Sequence, residues 1–148
     1  MNNNCLICKR VSEKKENKNF HFIHEFKNSI FVLGDHQYFK GYSLLLYKEH
    51  VRELHELTDQ IQVELYKELM TAGKVIYQTF KPWKMNYSCY ANTVEHIHWH
   101  IFPRYESEPD HKINPWLHSD EFKKHVIDED TTKSTIALIR KNLKVQFK

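Results

Sequence analysis

His96, His98 and His100 stand at alternate positions in "NTVEHIHWHIFPRY", with Ile97, Trp99 and Ile101 between them. Successive side chains of a strand point to opposite faces, so the spacing predicts three imidazoles on one face and three large apolar groups on the other. Imidazole moves protons, attacks electrophiles or binds metal near neutral pH, and burying it unpaired is costly. A row of three therefore points to a site. A second reactive group lies in "CLICK", where Cys5 and Cys8 are spaced so that both thiolates can reach one tetrahedral ion. The alternatives are two ordinary buried thiols or a redox pair, which usually sits in a βαβ setting that this pattern lacks. Two ligands do not complete a tetrahedron, and the chain's 11 histidines supply the other candidates.

These groups need elements to position them. "NFHFIHEF" and "SIFVLGD" read as two strands joined by a turn at Lys27 and Asn28, and "GYSLLLYKEH" as a third. From Leu57 to Phe80 the period changes: Ile61, Leu65, Leu69, Ala72, Ile76 and Phe80 form one stripe at three- and four-residue spacing. This predicts a long amphipathic helix capped by Thr58 and stopped by Pro82. "KMNYSCYA" and "VEHIHWHIF" follow as the fourth and fifth strands, the latter ending at Pro103. After an irregular arm, two shorter helices close the chain, one capped by Ser119 and running to about Ile127, the other capped by Thr131 or Thr132 and running to about Val145. The charged run "KRVSEKKENK" reads as a solvated loop. The order implies an α+β fold, an antiparallel sheet of about five strands carrying one long helix, plus C-terminal helices, in a single domain over 1–148.

Composition narrows the function. Three glycines leave no room for a P-loop or a dinucleotide fingerprint, so any phosphate must be held by side chains and scattered amides. A net charge of +3 is too small to argue for nucleic acid. No tripartite leader opens the chain and no apolar run is long enough to span a membrane. With only three cysteines there is no secreted disulfide framework, and a cytoplasmic protein is expected.

"HIHWHIF" resembles the signature of the histidine triad family: histidine, apolar, histidine, apolar, histidine, apolar, apolar. The likeness extends upstream through "GYSLLLYKEHV" and "CLICK", over about residues 5–105, and leaves the last 40 or so residues unanchored. In family members with the cysteine pair, a structural zinc is held by the two cysteines, the histidine after the third strand and the first triad histidine. The resemblance thus implies zinc on Cys5, Cys8, His50 and His96. It also implies a reaction, in which the middle histidine, His98, attacks an α-phosphorus to give a nucleotidyl-histidine intermediate and His100 donates hydrogen bonds to phosphate oxygens or the leaving group. By the same likeness Asn92 and Thr93, just before the motif, and Asn86, on the fourth strand, would contact phosphate; Asp35 would contact ribose, with a strand-ending turn as its alternative role. Arg104 would face phosphates or solvent, and Trp116 would be a wall of the site or plain packing.

"IFPRY" and the arm ending at Trp116 look more like the dinucleoside polyphosphate hydrolases, whose substrates include diadenosine tetraphosphate, than like the small phosphoramidases. The alternatives are a Hint-type nucleoside phosphoramidase and a zinc-stabilised nucleotide-binding module without turnover. Hydrolysis at the metal itself would need an open coordination position, which four protein ligands fill. A homodimer is implied by the family likeness.

Overall fold

The computed structural model describes residues 4–15 and 21–146. Its elements in chain order are α1 (Leu6–Lys15), β1 (Phe22–Glu25), β2 (Ser29–Leu33), β3 (Ser43–Tyr47), α2 (Asp59–Phe80), β4 (Lys84–Ser88), β5 (His98–Arg104), α3 (Ser119–Phe122) and α4 (Glu129–Gln146). The strands form one antiparallel sheet in the order β1-β2-β3-β5-β4. The expected α+β architecture is therefore present.

The period of two divides the sheet's faces. Phe31 and Leu33 of β2, Leu45 and Tyr47 of β3, and Ile101 of β5 join Ile97 in one core with α2 and α4. On the opposite face Ile30, Val32 and Leu46 pack against α1. Fully burying one large apolar side chain contributes about 1.5–3 kcal/mol. A one-residue slip of β5 would turn Trp99 and Ile101 out of the core and His98 and His100 into it, so the register is strongly held.

The predicted stripe of α2 faces this core: Leu65, Leu69, Ala72 and Ile76 are buried in it, and Ile61 and Phe80 pack at its margin. Thr58 caps the helix by accepting from Ile61 N, and the helix ends at Phe80, where Lys81 turns left-handed before Pro82. Gly41, which leads into β3, has φ +90, and a Cβ there would lie 2.5 Å from the Phe80 ring, so a turn and a close approach both require glycine. In the C-terminal part Ile136, Ile139 and Leu143 of α4 enter the same core.

Several expectations need correction. "KRVSEKKENK" is not a solvated loop through Lys15: residues 6–15 are helical, with Cys5, Ile7, Cys8 and Val11 buried against the sheet, while residues 16–18 lie outside the described residues. The first strand begins at Phe22 among the described residues, and residues 19 and 20 lie outside them. His96 precedes β5, and β5 continues through Pro103 to Arg104. Proline is tolerated there because pairing with β3 has ended at Ile101, leaving only β4 alongside. Strand β4 stops at Ser88, and α3 is a single turn ending at Phe122. The α4 cap is Asp128, whose Oδ1 accepts from Thr131 N, so Thr131 and Thr132 lie inside the helix.

No helix among the described residues is long and apolar enough to cross a membrane.

Candidate active site and metal centre

The face opposite α2 carries a cleft of about 600 Å³. His98 and His100 of β5 open into it, beside Tyr42, Leu44 and Leu46, which share their face by alternation. Leu44 pairs with His100 and Leu46 with His98. Trp116 stands against His100, edge to face at 4.6 Å, and its Nε1 donates to Ser88 Oγ at 3.0 Å.

The two histidines are held in different ways. Nδ1–H of His98 donates to the His96 carbonyl at 2.6 Å, which leaves the Nε2 lone pair for the cleft. The His98 side is only 8% exposed, and burial holds its pKa below the usual histidine value. His100 lies 4.9 Å away, ring to ring, and its Nδ1 meets the Tyr42 hydroxyl at 2.6 Å. Burial pushes the Tyr42 pKa up, so the phenol keeps its proton and donates. Nε2 of His100 then carries the ring's own proton. Burial first, and the neighbouring His98 and His36 second, pull the His100 pKa down to about 3. At neutral pH both rings are therefore neutral, His98 with a free Nε2 lone pair and His100 as a hydrogen-bond donor.

Tyr42→Phe removes the group that fixes the His100 tautomer. A lost buried hydrogen bond of this kind costs about 1–3 kcal/mol, so kcat should fall about 5- to 150-fold with the fold intact. Steady-state kinetics checks this, and an unchanged kcat would show that Tyr42 does not control His100.

Behind the cleft, Cys5, Cys8, His50 and His96 bring one ligand atom each to within 4.8 Å of one another. A tetrahedral zinc, with bonds of about 2.3 Å to sulfur and about 2.05 Å to nitrogen, requires edges of about 3.3 Å between nitrogens and about 3.6 Å between nitrogen and sulfur. Four of the six separations are 3.3 Å for His50 Nδ1 to His96 Nδ1, 3.4 Å for Cys5 Sγ to His96 Nδ1, 3.5 Å for Cys8 Sγ to His50 Nδ1, and 3.7 Å for Cys8 Sγ to His96 Nδ1. The donor set and these four edges fit a tetrahedral zinc. Nε2 of the fully buried His96 donates to the Tyr47 carbonyl at 2.8 Å, which turns the Nδ1 lone pair toward the cluster.

Of the other residues singled out in the sequence, Asn92, Thr93 and Asp35 line the same cleft as His98 and His100. Asn86 does not. It is paired with Phe102 while Ser88 is paired with His100, so it lies one strand repeat beyond the Trp116 wall, in a neighbouring cleft of about 360 Å³. There its Oδ1 accepts from Arg104 Nη1 at 3.1 Å. Arg104 does not face solvent: it is 1% exposed, donates to Glu108 Oε2 at 2.9 Å and to the Ile113 carbonyl at 2.7 Å, and so pins the arm that carries Trp116. Sequence reasoning missed Tyr42 and Arg10. The alternation of Tyr42 with Leu44 and Leu46 was a usable signal for the first, whereas Arg10 had none.

Comparison with known proteins agrees with this geometry. The HIT domain family model matches residues 14–107. The protein called Protein hit from Bacillus subtilis (strain 168) is 24% identical over 125 residues, 81% of this chain and 84% of that one. Among solved structures, a histidine triad protein from Sinorhizobium meliloti 1021 superposes with a TM-score of 0.72 at 21% identity, covering 82% of this chain and 87% of the other. A hypothetical histidine triad nucleotide-binding protein from Sulfolobus tokodaii strain7 superposes with a TM-score of 0.73 at 19% identity, covering 93% of each chain. These structures share the fold, the family model spans the triad and the strands that hold it, and the chain belongs to the HIT domain family, whose proteins bind nucleotide substrates.

Proposed function

We propose that the protein is a nucleotidyl hydrolase that cleaves dinucleoside polyphosphates, such as diadenosine tetraphosphate, at an α-phosphorus through a nucleotidyl-His98 intermediate. The observation that carries this reading is the hydrogen bond from His98 Nδ1–H to the His96 carbonyl, because it leaves a neutral imidazole with Nε2 as its only free nucleophilic atom. As the Nε2–P bond forms, the bond from phosphorus to the departing phosphate oxygen breaks and its electron pair leaves on that oxygen. The adduct's imidazolium keeps its Nδ1–H on the His96 carbonyl. Water then attacks phosphorus, the P–N bond breaks to restore neutral His98, and the water's spare proton passes to solvent. Nε2–H of His100 donates to phosphate oxygens during both steps, and Asn92 and Thr93 add polar contacts at the rim. Asp35 is positioned at the cleft to accept from ribose hydroxyls.

His100 also bears on the leaving group. Its Nδ1 is engaged by Tyr42 and its pKa is pulled down to about 3, so it is a hydrogen-bond donor and a poor proton source. A polyphosphate oxygen departs without a proton, whereas an amine must be protonated to leave, which favours the anhydride over the phosphoramidate. Lys112, in the neighbouring cleft past Trp116, supplies a cation on the side where the remaining phosphates would extend.

Zinc on Cys5, Cys8, His50 and His96 would be coordinatively closed, and it would supply folding energy and a tie between α1 and the sheet. A homodimer is supported by the exposed row Val63, Tyr66 and Tyr77 on α2, with Tyr87 on the edge strand β4. Sedimentation velocity should give twice the chain mass, and a single-chain mass at micromolar concentration would overturn the dimer.

Turnover in ¹⁸O-water tests the reaction. Diadenosine tetraphosphate should yield ATP without label and AMP with one labelled oxygen, and it should be turned over faster than an adenosine phosphoramidate. Preference for the phosphoramidate would select the amine-releasing alternative; binding of AMP without turnover of either substrate would select a binding module.

A further inference from the structure

α1 does more than place Cys8 beside Cys5. Cys5, Ile7, Cys8 and Val11 seat it on β2 and β3, and its other side presents Leu6 and Arg10 to the cleft that holds His98. The family model begins at residue 14, so this wall lies outside the span it matches. Arg10 Nη2 donates to Asp35 Oδ2, just past the end of β2. The other oxygen, Asp35 Oδ1, lies 3.9 Å from His21 Nε2, beyond hydrogen-bond reach. The two side chains differ in exposure, 22% for Arg10 and 55% for Asp35, as if the cation were the fixed member of the pair.

We propose that Arg10 is a positioning residue for ribose recognition: it holds Asp35 Oδ2 from the sheet-anchored helix and leaves the other carboxylate oxygen, which has no hydrogen bond among the described residues, for a sugar hydroxyl. The proposal rests on the assignment of Asp35 to ribose. The physical effect is preorganisation: a carboxylate fixed before the ligand arrives loses less conformational freedom on binding. An ion pair this exposed contributes little to stability, so the fold should tolerate its loss.

The test is calorimetric titration of the full chain, with its metal content measured, using AMP and 2′,3′-dideoxy-AMP. Arg10→Gln should weaken AMP binding about tenfold, the range of one charge-assisted hydrogen bond, and leave the dideoxy ligand within about twofold. Asp35→Asn should give the same selective loss, the double variant should lose no more than either single one, and Arg10→Lys should recover part of it. In turnover assays the loss should fall on KM rather than on kcat. Equal weakening of both ligands, or tighter AMP binding by Arg10→Gln, would overturn the proposal. If Asp35→Asn alone leaves the ribose preference intact, the ribose assignment falls and takes Arg10 with it. If Asp35→Asn removes the preference and Arg10→Gln does not, only the role of Arg10 falls.

Discussion

His98→Asn should reduce turnover of diadenosine tetraphosphate by about 10⁴-fold or more, the scale on which enzymes lose a covalent nucleophile. The asparagine amide can still donate to the His96 carbonyl, and the ring it replaces faces the cleft and not the core, so the fold should survive. Intact mass spectrometry of quenched reactions gives the decisive reading: wild type should gain one nucleoside monophosphate transiently, and the variant should gain none. His100→Asn should behave differently. It removes a hydrogen-bond donor and keeps the nucleophile, so the loss should be about 10²–10³-fold with the adduct still detectable. A His98→Asn protein that turns over at the wild-type rate would end the nucleophile assignment.

Metal removal should have the second large effect, and it should act on the fold. Wild-type protein should carry one zinc per chain. An ion bound so that the chain sees it at about a thousand times its Kd adds about 4 kcal/mol, which corresponds to a Tm change on the order of 10 °C for a chain of this size. Cys8→Ser and His50→Ala should each lose the zinc together with soluble, cooperatively melting protein, because a metal on those ligands would pin α1 to the strand ends. Elemental analysis with scanning calorimetry, before and after chelation, measures both quantities. A chain without metal whose Tm ignores the chelator would mark the four residues as ordinary thiols and imidazoles.

The two effects separate roles that the sequence places side by side. His96 and His98 are two residues apart, yet His96 turns its Nδ1 to the cysteines and His98 turns its Nε2 to the cleft. The division follows from the backbone. Before β5 begins, Ile97 is already tied to Val51 and Tyr47, which buries His96 between strand ends, and from His98 onward the pleat delivers side chains alternately to cleft and core.

Much of this was legible in the sequence because its signals are local. Alternation placed His98 and His100 on one face, a three- and four-residue stripe gave α2 its buried side, and the spacing of Cys5 and Cys8 suited one ion. Helix α1 was misjudged for a reason that is also local: its lysines and glutamate read as solvated, while the apolar positions Ile7, Cys8 and Val11 are too few and too close to a charged run to announce a buried face. What only the tertiary structure decided are meetings between residues far apart in the chain. Tyr42 reaches His100 across 58 positions and Arg10 reaches Asp35 across 25. Trp116 is tied to Ser88, while Asn86 lies on the far side of that wall. Periodicity assigns a side chain to a face; which partner it meets there depends on strand order and helix docking, and these are set by the burial of the whole core.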